Sequence, residues 1–228
     1  MAFFGAGAGS ITIPLAVHFM HLPYRTAGIA GLVVVMSSGL ATALLGWRKH
    51  LVILRAAIPF LIISTPVTLI AAKLSRQVSN RLSALLLVVI LLSASILFWF
   101  RHQESERKHD LIRGSLGAVA AGSTAGILGV GAGFIVVPAL RLVSGLTIAK
   151  AVATSSLILA INAIAALLIR HNEMQSIASL WLLALASVAG AASASSVSHL
   201  VPSKLRQRGL AILLFSFAIV TLIDALTK

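Results

Sequence analysis

The decapeptide GAGAGSITIP at residues 5–14 returns as GVGAGFIVVP at residues 129–138. Each copy holds three glycines at alternate positions, then four residues, then a proline. Glycine leaves the backbone free to depart from helical geometry, and proline removes a helical hydrogen bond. A stretch of this composition, present twice, predicts an internal duplication in which each copy interrupts a helix.

The duplication extends beyond the two glycine motifs. The register that aligns the decapeptides also aligns Ala27 with Ala151, and after one deleted residue VSNRL (78–82) aligns with VPSKL (201–205). Agreement of motif, connection and apolar segment in the same order predicts two homologous halves. We expect a first membrane repeat over residues 1–100, an inter-repeat loop over 101–113 and a second membrane repeat over 114–228.

The composition is that of a membrane protein. Hydrophobic residues make up 59% of the chain and charged residues only 10%, and the mean hydropathy is +1.04. A soluble fold needs a polar surface that this sequence does not supply. Each half divides into four apolar segments, several of them close to the roughly 20 residues that cross a bilayer. The segments are 1–19, 26–46, 51–72 and 82–100, then 114–140, 151–169, 177–200 and 209–226.

These segments predict an all-α, multi-pass protein of the cell (inner or plasma) membrane, with about eight membrane segments in two four-segment halves. Fifteen residues of the second half precede its glycine motif but only four precede the first motif, so we expect the first segment to be truncated. The net charge of +13 comes from Lys and Arg in the short connections, where such residues anchor to lipid headgroups. The expected partners are therefore the lipid bilayer and a small anion, and no nucleic acid.

The orientation depends on whether the glycine segments cross the membrane. If all eight segments cross, both halves point the same way, Arg25 and Arg170 lie on opposite sides, and Lys and Arg divide evenly between the sides. The positive-inside rule then gives no orientation. If the glycine segments are re-entrant, each half crosses three times and the halves are inverted.

Three interpretations of the glycine motifs remain. A nucleotide-binding loop needs a preceding strand and an aqueous pocket, which this context lacks. A surface of small residues for close helix packing is the structural interpretation. A broken membrane helix is the functional one, because its freed N–H groups and half-helix N-terminus suit an anion. Interruptions at matching places in two halves are typical of a transporter's binding site, which predicts a site built from both halves.

The polar residues inside the apolar segments favour an anion over a cation. None of the five acids lies in mid-segment, whereas cation and proton antiporters commonly hold the ion with a membrane carboxylate. Ser155 and Asn162 lie seven residues apart, on one helical face; hydrogen bonds to neighbouring helices are their structural alternative. His18 and His21 have no third ligand near them, so we expect no metal site. No strong catalytic motif appears in the sequence, and we expect no catalytic residue and no cofactor. The predicted substrate-binding residues are Gly5, Gly7, Gly9, Pro14, Ser38, Gly129, Gly131, Gly133, Pro138, Thr154, Ser155 and Asn162.

The two glycine-rich motifs followed by proline, and the stretch AVATSSL at residues 151–157, resemble the sulfite exporter TauE/SafE family over essentially the whole chain. In the first half the equivalent stretch lacks hydroxyls, and Ala8 and Ala132 stand where the family commonly has glycine. The resemblance implies a secondary transporter of small sulfur-containing or organic anions, such as sulfite or sulfonates. A non-transporting membrane scaffold or sensor, and an intramembrane enzyme, are the alternatives.

Overall fold

The computed structural model describes residues 9–100, 111–174, 180–197 and 203–227, and these residues form helices and short connections without a strand. The helices are α1 (Gly9–Phe19), α2 (Tyr24–Arg48), α3 (Leu54–Leu74), α4 (Asn80–Phe100), α5 (Leu111–Leu128), α6 (Gly133–Ser144), α7 (Ile148–Ile169), α8 (His171–Met174), α9 (Leu180–Val197) and α10 (Ser203–Thr227), with a 3₁₀ turn at Ser75–Gln77 after α3. The predicted all-α class is confirmed.

Within the described ranges, three helical stretches are long and apolar enough to cross a membrane: Tyr24–Arg48, Leu54–Gln77 and Ile148–Ile169. At 1.5 Å per residue, the 25 residues of α2 span about 37 Å, more than the roughly 30 Å hydrocarbon core. Several shorter apolar helices pack around them. The chain is therefore a helical membrane protein.

Helices α2 and α7 form an antiparallel pair at the centre. Late in α2, a Cβ added to Gly46 would lie 2.7 Å from Cβ of Ala153, near the start of α7. Early in α2, a Cβ on Gly28 would lie 3.4 Å from a nitrogen of Arg170, just after the end of α7. Small residues allow this close approach of two apolar helices. Since α2 and α7 occupy equivalent places in the expected halves, equivalent helices run in opposite directions.

The segment 114–140, expected as a single membrane segment, is a helical hairpin instead. It contains α5 and most of α6, and α6 turns back along α5: a Cβ on Gly117 would lie 2.8 Å from Cβ of Ala139, and one on Gly114 would collide with Val143. The chain reverses over residues 129–132, where Gly129 has φ +74°. Of the two alternatives that the sequence left open, this reversal agrees with the re-entrant segment, because the glycines permit a turn as well as an interruption.

The hairpin also bears on the positions of Arg25 and Arg170. Arg170 Nη2 donates a hydrogen bond to the Arg25 carbonyl over 2.7 Å, so the start of α2 and the end of α7 lie at the same end of the molecule. Eight complete crossings would have placed these arginines on opposite sides. The α5–α6 segment leaves and returns to the same end, which removes one crossing from the count.

The remaining helices pack in corresponding pairs. Helix α3 packs against α7, and α9, which occupies the equivalent place in the second half, packs against α2. Helix α4 packs against α10, and the Ser95 hydroxyl donates to the Ala211 carbonyl between them. The hairpin helix α5 lies against α3, where Gly122 and Gly126 face the backbone of that helix. This packing fixes the tip of the hairpin against α2.

Candidate functional site

The second glycine motif forms the break between α5 and α6. Helix α5 ends at Leu128 and α6 begins at Gly133, the last glycine of the motif. Gly129 must be glycine for two reasons: its φ is positive, and a Cβ there would collide with the carbonyl of Gly28. The predicted helix interruption is present at this motif. Pro138, by contrast, lies inside α6, which continues beyond it.

The first glycine motif meets this break. A Cβ on Gly9 would lie 2.8 Å from the Gly129 carbonyl oxygen and 3.1 Å from the Gly131 nitrogen. A Cβ on Gly31 of α2 would also lie 2.8 Å from the Gly129 oxygen. Gly5 and Gly7 lie outside the described residues, and Pro14 lies inside α1. The break is therefore enclosed by glycine backbone from α1 and α2, and the two motifs touch at Gly9.

Backbone N–H groups are available at the break. Gly133 N–H donates to the Gly131 carbonyl over 2.9 Å, and Ile135 N–H donates to the Ala132 carbonyl over 2.9 Å. Within the described parts of the chain, the N–H groups of Gly131 and Ala132 donate no backbone hydrogen bond. Both residues are buried. Free N–H groups before a helix N-terminus make a favourable environment for an anion.

The hydroxyls of α7 are buried and already have partners. Thr154 Oγ1 accepts a hydrogen bond from Ile53 N–H over 3.0 Å, which satisfies the backbone at the start of α3. The Ser155 and Ser156 hydroxyls donate to the Val152 carbonyl over 2.9 and 2.8 Å. In α2, the Ser38 hydroxyl donates to its own helix, to the Val34 carbonyl. These are the contacts that the helix-packing interpretation expects, and a role in binding stays a prediction.

Asn162 lies in a polar cluster between α3 and α7. Its Nδ2 donates to Ser64 Oγ over 3.0 Å, and its Oδ1 accepts from Thr65 Oγ1 over 3.0 Å. Asn162 and Ser64 are fully buried. The cluster joins the two helices, and an anion entering it would have to exchange for one of these hydrogen bonds.

The histidine pair is not brought into a metal site. His18 Nδ1 is hydrogen-bonded to the Pro14 carbonyl over 2.9 Å, one helical turn earlier. No group of three or more potential metal ligands occurs among the residues that the structure describes.

Arg170 is a buried charged residue beside the break that the sequence did not indicate. It follows α7 directly and is fully buried. Its Nη2 donates to the Arg25 carbonyl and, over 3.1 Å, to Glu173 Oε2. Its Nε and Nη1 have no hydrogen-bond partner in the described part of the chain. The sequence gives one signal, a lone arginine that ends an apolar segment with a glutamate three residues later.

The surroundings of Arg170 are positively charged. Glu173 Oε1 lies 3.2 Å from Arg25 Nη2 and 3.9 Å from Arg76 Nε. With the Arg170 contact at Oε2, one carboxylate is therefore shared by three guanidinium groups. Burial lowers the pKa of Arg170, against the opposing charge and hydrogen bond of Glu173. Burial raises the pKa of Glu173, but the hydrogen bond from Arg25 and the charge of Arg170 outweigh it and hold that pKa below its usual value. Glu173 is therefore ionised at neutral pH and is the charged partner of the buried guanidinium.

The glycine break and the arginine cluster are neighbours. A Cβ on Gly28 would lie 2.7 Å from the Leu128 carbonyl oxygen on one side and 3.4 Å from Arg170 Nη1 on the other. The absence of a side chain at Gly28 thus leaves the guanidinium beside the end of α5. The buried cation thus lies beside the Leu128 carbonyl, and the free N–H groups of Gly131 and Ala132 follow three and four residues later in the chain. A cation and free N–H groups are both groups that suit a small anion.

A family model described as sulfite exporter TauE/SafE matches residues 1–221 of the 228-residue chain. The chain belongs to the TauE/SafE family. No curated protein and no solved structure matches it. Membership in this transporter family indicates a membrane transporter of sulfite-like anions, and the resemblance carried by the two glycine motifs is confirmed.

Among the residues predicted for this TauE/SafE protein, the structure brings together Gly9, Gly129 and Gly131 at one point. It places Asn162 and Ser155 on α7 in separate hydrogen-bonding environments, one against α3 and one within its own helix. The predicted set therefore divides into a glycine part at the break and a polar part along α7.

Proposed function

We propose that this TauE/SafE protein is a secondary transporter that carries sulfite, sulfonates or related small organic anions across the cell membrane. The observation that carries the proposal is the contact between Gly9 and the helix break at Gly129–Gly131. A binding site built from both glycine motifs accounts for their duplication. No Walker-type phosphate loop occurs in the sequence, so transport is expected to use an ion or substrate gradient rather than ATP.

We infer that residues 1–100 and 114–228 form inverted repeats joined by residues 101–113. Two observations support this: α2 and α7 are antiparallel, and the second glycine segment is a hairpin. Each half then contributes three crossings and one re-entrant segment, in place of four crossings. Inverted repeats with interrupted helices place the substrate near the repeat interface, where rocking of one half against the other gives alternating access.

Each proposed site residue has a chemical role. The glycines supply backbone N–H groups and room for close approach, and the half-helix α6 directs its positive end toward the break. Neutral hydrogen-bond donors away from the break are supplied by Thr154, Ser155 and Asn162 of α7 and by Ser38 of α2. A hydroxyl that now donates to a helical carbonyl can rotate to donate to an anion instead. The proposed site residues thus offer hydrogen-bond donors to the anion and include no carboxylate.

Reconstitution into liposomes tests this function. The purified protein is assayed for counterflow of radiolabelled sulfite, with unlabelled methanesulfonate, acetate, sulfate, phosphate and chloride as competitors. We expect saturable sulfite flux that methanesulfonate inhibits and ATP does not stimulate. Conversion of sulfite without flux would favour an intramembrane enzyme. The absence of both flux and conversion across the panel would favour a scaffold or sensor.

A further inference from the structure

Arg170 carries buried donors that the fold does not use. The side chain is fully buried, yet only Nη2 is hydrogen-bonded, which leaves one N–H on Nε and two on Nη1 without a partner in the described residues. A buried polar group without a partner costs roughly a lost hydrogen bond, and more when it is charged. A buried group of this kind needs an explanation, and a bound ligand is one.

A purely structural role explains part of this arrangement. Nη2 joins the end of α7 to the start of α2 through the Arg25 carbonyl and to Glu173. A cation near the last carbonyls of α5, beside Leu128, is also favourable. Neither contact uses Nε, and neither accounts for a second and third arginine around one glutamate. Among the described residues, three guanidinium groups share the one carboxylate of Glu173.

We propose that Arg170 binds the transported anion directly, at the α5–α6 break, through Nε–H and Nη1–H. This rests on the transport function proposed above and names its charged contact. The ligand class is a small oxyanion such as sulfite or a sulfonate, because the planar guanidinium directs separate N–H donors at separate oxygens. Glu173 holds Nη2 and leaves the other donors for the ligand. A spherical halide makes less use of this geometry.

Three variants test the assignment. Arg170→Lys keeps the charge but removes the planar set of donors, and Arg170→Gln removes the charge. Arg76→Gln is the matched control, because Arg76 belongs to the same cluster but is half-exposed and donates to the Ile169 carbonyl. Folding is followed by thermal unfolding in detergent. Binding is followed as the rise in melting temperature with added sulfite, and transport as sulfite flux in liposomes with chloride as competitor.

We expect Arg170→Lys to raise the apparent KM for sulfite on the order of ten- to a hundred-fold, as for lost hydrogen bonds to a charged group. Its preference for sulfite over chloride should fall, which a structural role would not produce. Arg170→Gln should lose both flux and sulfite-dependent stabilisation, and Arg76→Gln should change KM by less than about fivefold. If Arg170→Gln does not fold, the KM for sulfite and the selectivity against chloride of Arg170→Lys decide whether Arg170 binds the anion.

Two results separate the possible failures. Wild-type KM and selectivity in a folded Arg170 variant would overturn the assignment of Arg170 and leave the transport function standing. If the wild type carries none of the anions tested, the proposed function fails. Sulfite-dependent stabilisation that is present in the wild type and lost in Arg170→Lys would still support Arg170 as an anion-binding residue, and its persistence in that variant would overturn it.

Discussion

Substituting Gly129 by alanine tests the helix break most directly. Two costs arise from the structure. The residue has φ +74°, and a left-handed conformation costs an alanine about 1–2 kcal/mol. The new Cβ would also collide with the carbonyl of Gly28, a backbone group that cannot rotate away, and such overpacking costs about 1–3 kcal/mol. The free energy of unfolding should therefore fall by about 2–5 kcal/mol.

Gly145→Ala is the matched control for this substitution. Gly145 follows α6 with φ +60°, and nothing lies within 4 Å of the Cβ that alanine would add. It therefore carries the backbone cost of about 1–2 kcal/mol without the collision. The difference between the two variants isolates the contact between the break and α2.

The assay measures both variants by thermal unfolding in detergent and by sulfite flux in liposomes, scaled to folded protein. We expect Gly145→Ala to transport normally with a slightly lower melting temperature. Gly129→Ala should be clearly less stable and should lose transport, because the break must move away from Gly28. Equal stability losses in the two variants, or wild-type flux in Gly129→Ala, would refute the close approach on which the site depends.

Further predictions concern α7, the glycine motif, the arginine cluster and the orientation. Ser155→Ala should raise the KM for sulfite about ten- to a hundred-fold. Ser156→Ala, which loses a hydroxyl bonded to the same carbonyl, should leave the KM unchanged. The same KM in both variants would leave both serines as packing residues. Gly131→Leu should abolish flux while membrane insertion, measured by fractionation, continues. The pKa of Glu173 is lowered in the folded state, so its ion pairs stabilise the protein fully above pH 4.5, the ordinary pKa, and less as the pH falls below that value. Glu173→Gln should abolish this part of the acid dependence of the melting temperature. Reporter fusions should place the C-terminus outside the cytoplasm.

The helical class and the interrupted helix could be predicted because both follow from composition. Apolar segments of membrane length give helices, and three glycines in five residues favour departure from a helix. The direction of the chain after residue 129 could not be predicted. A glycine break is equally compatible with a continued crossing and with a reversal, and contacts such as that of Gly117 with Ala139 decide between them. These contacts lie far apart in sequence and leave no local pattern.

Arg170 shows why part of the proposed site was not predictable. An arginine after an apolar segment is usually a headgroup anchor, and the glutamate three residues later is only a weak sign that this one is different. Its burial depends on α2, which presents Gly28 and the Arg25 carbonyl from another part of the chain. The α7 hydroxyls were found because polar residues in an apolar helix are conspicuous. Their partners, such as Ser64 for Asn162, again required the tertiary packing.

The hairpin also predicts an orientation in the membrane, because it redistributes the basic residues between the two ends of the molecule. Arg25, Arg76 and Arg170 share one end of the molecule, and the Tyr24–Asp224 hydrogen bond places the end of α10 there as well. In the described residues, this end carries Arg25, Lys73, Arg76, Arg81 and Arg170. The opposite end carries Arg48, Lys49, Arg55, Arg113, Arg141, Lys150, Lys204, Arg206 and Arg208. The face richer in Lys and Arg usually stays in the cytoplasm, so we expect the opposite end to be cytoplasmic and the Arg170 cluster to face outward. Eight crossings would divide the Lys and Arg residues evenly between the two sides, whereas a re-entrant glycine segment places most of them at the end opposite the Arg170 cluster.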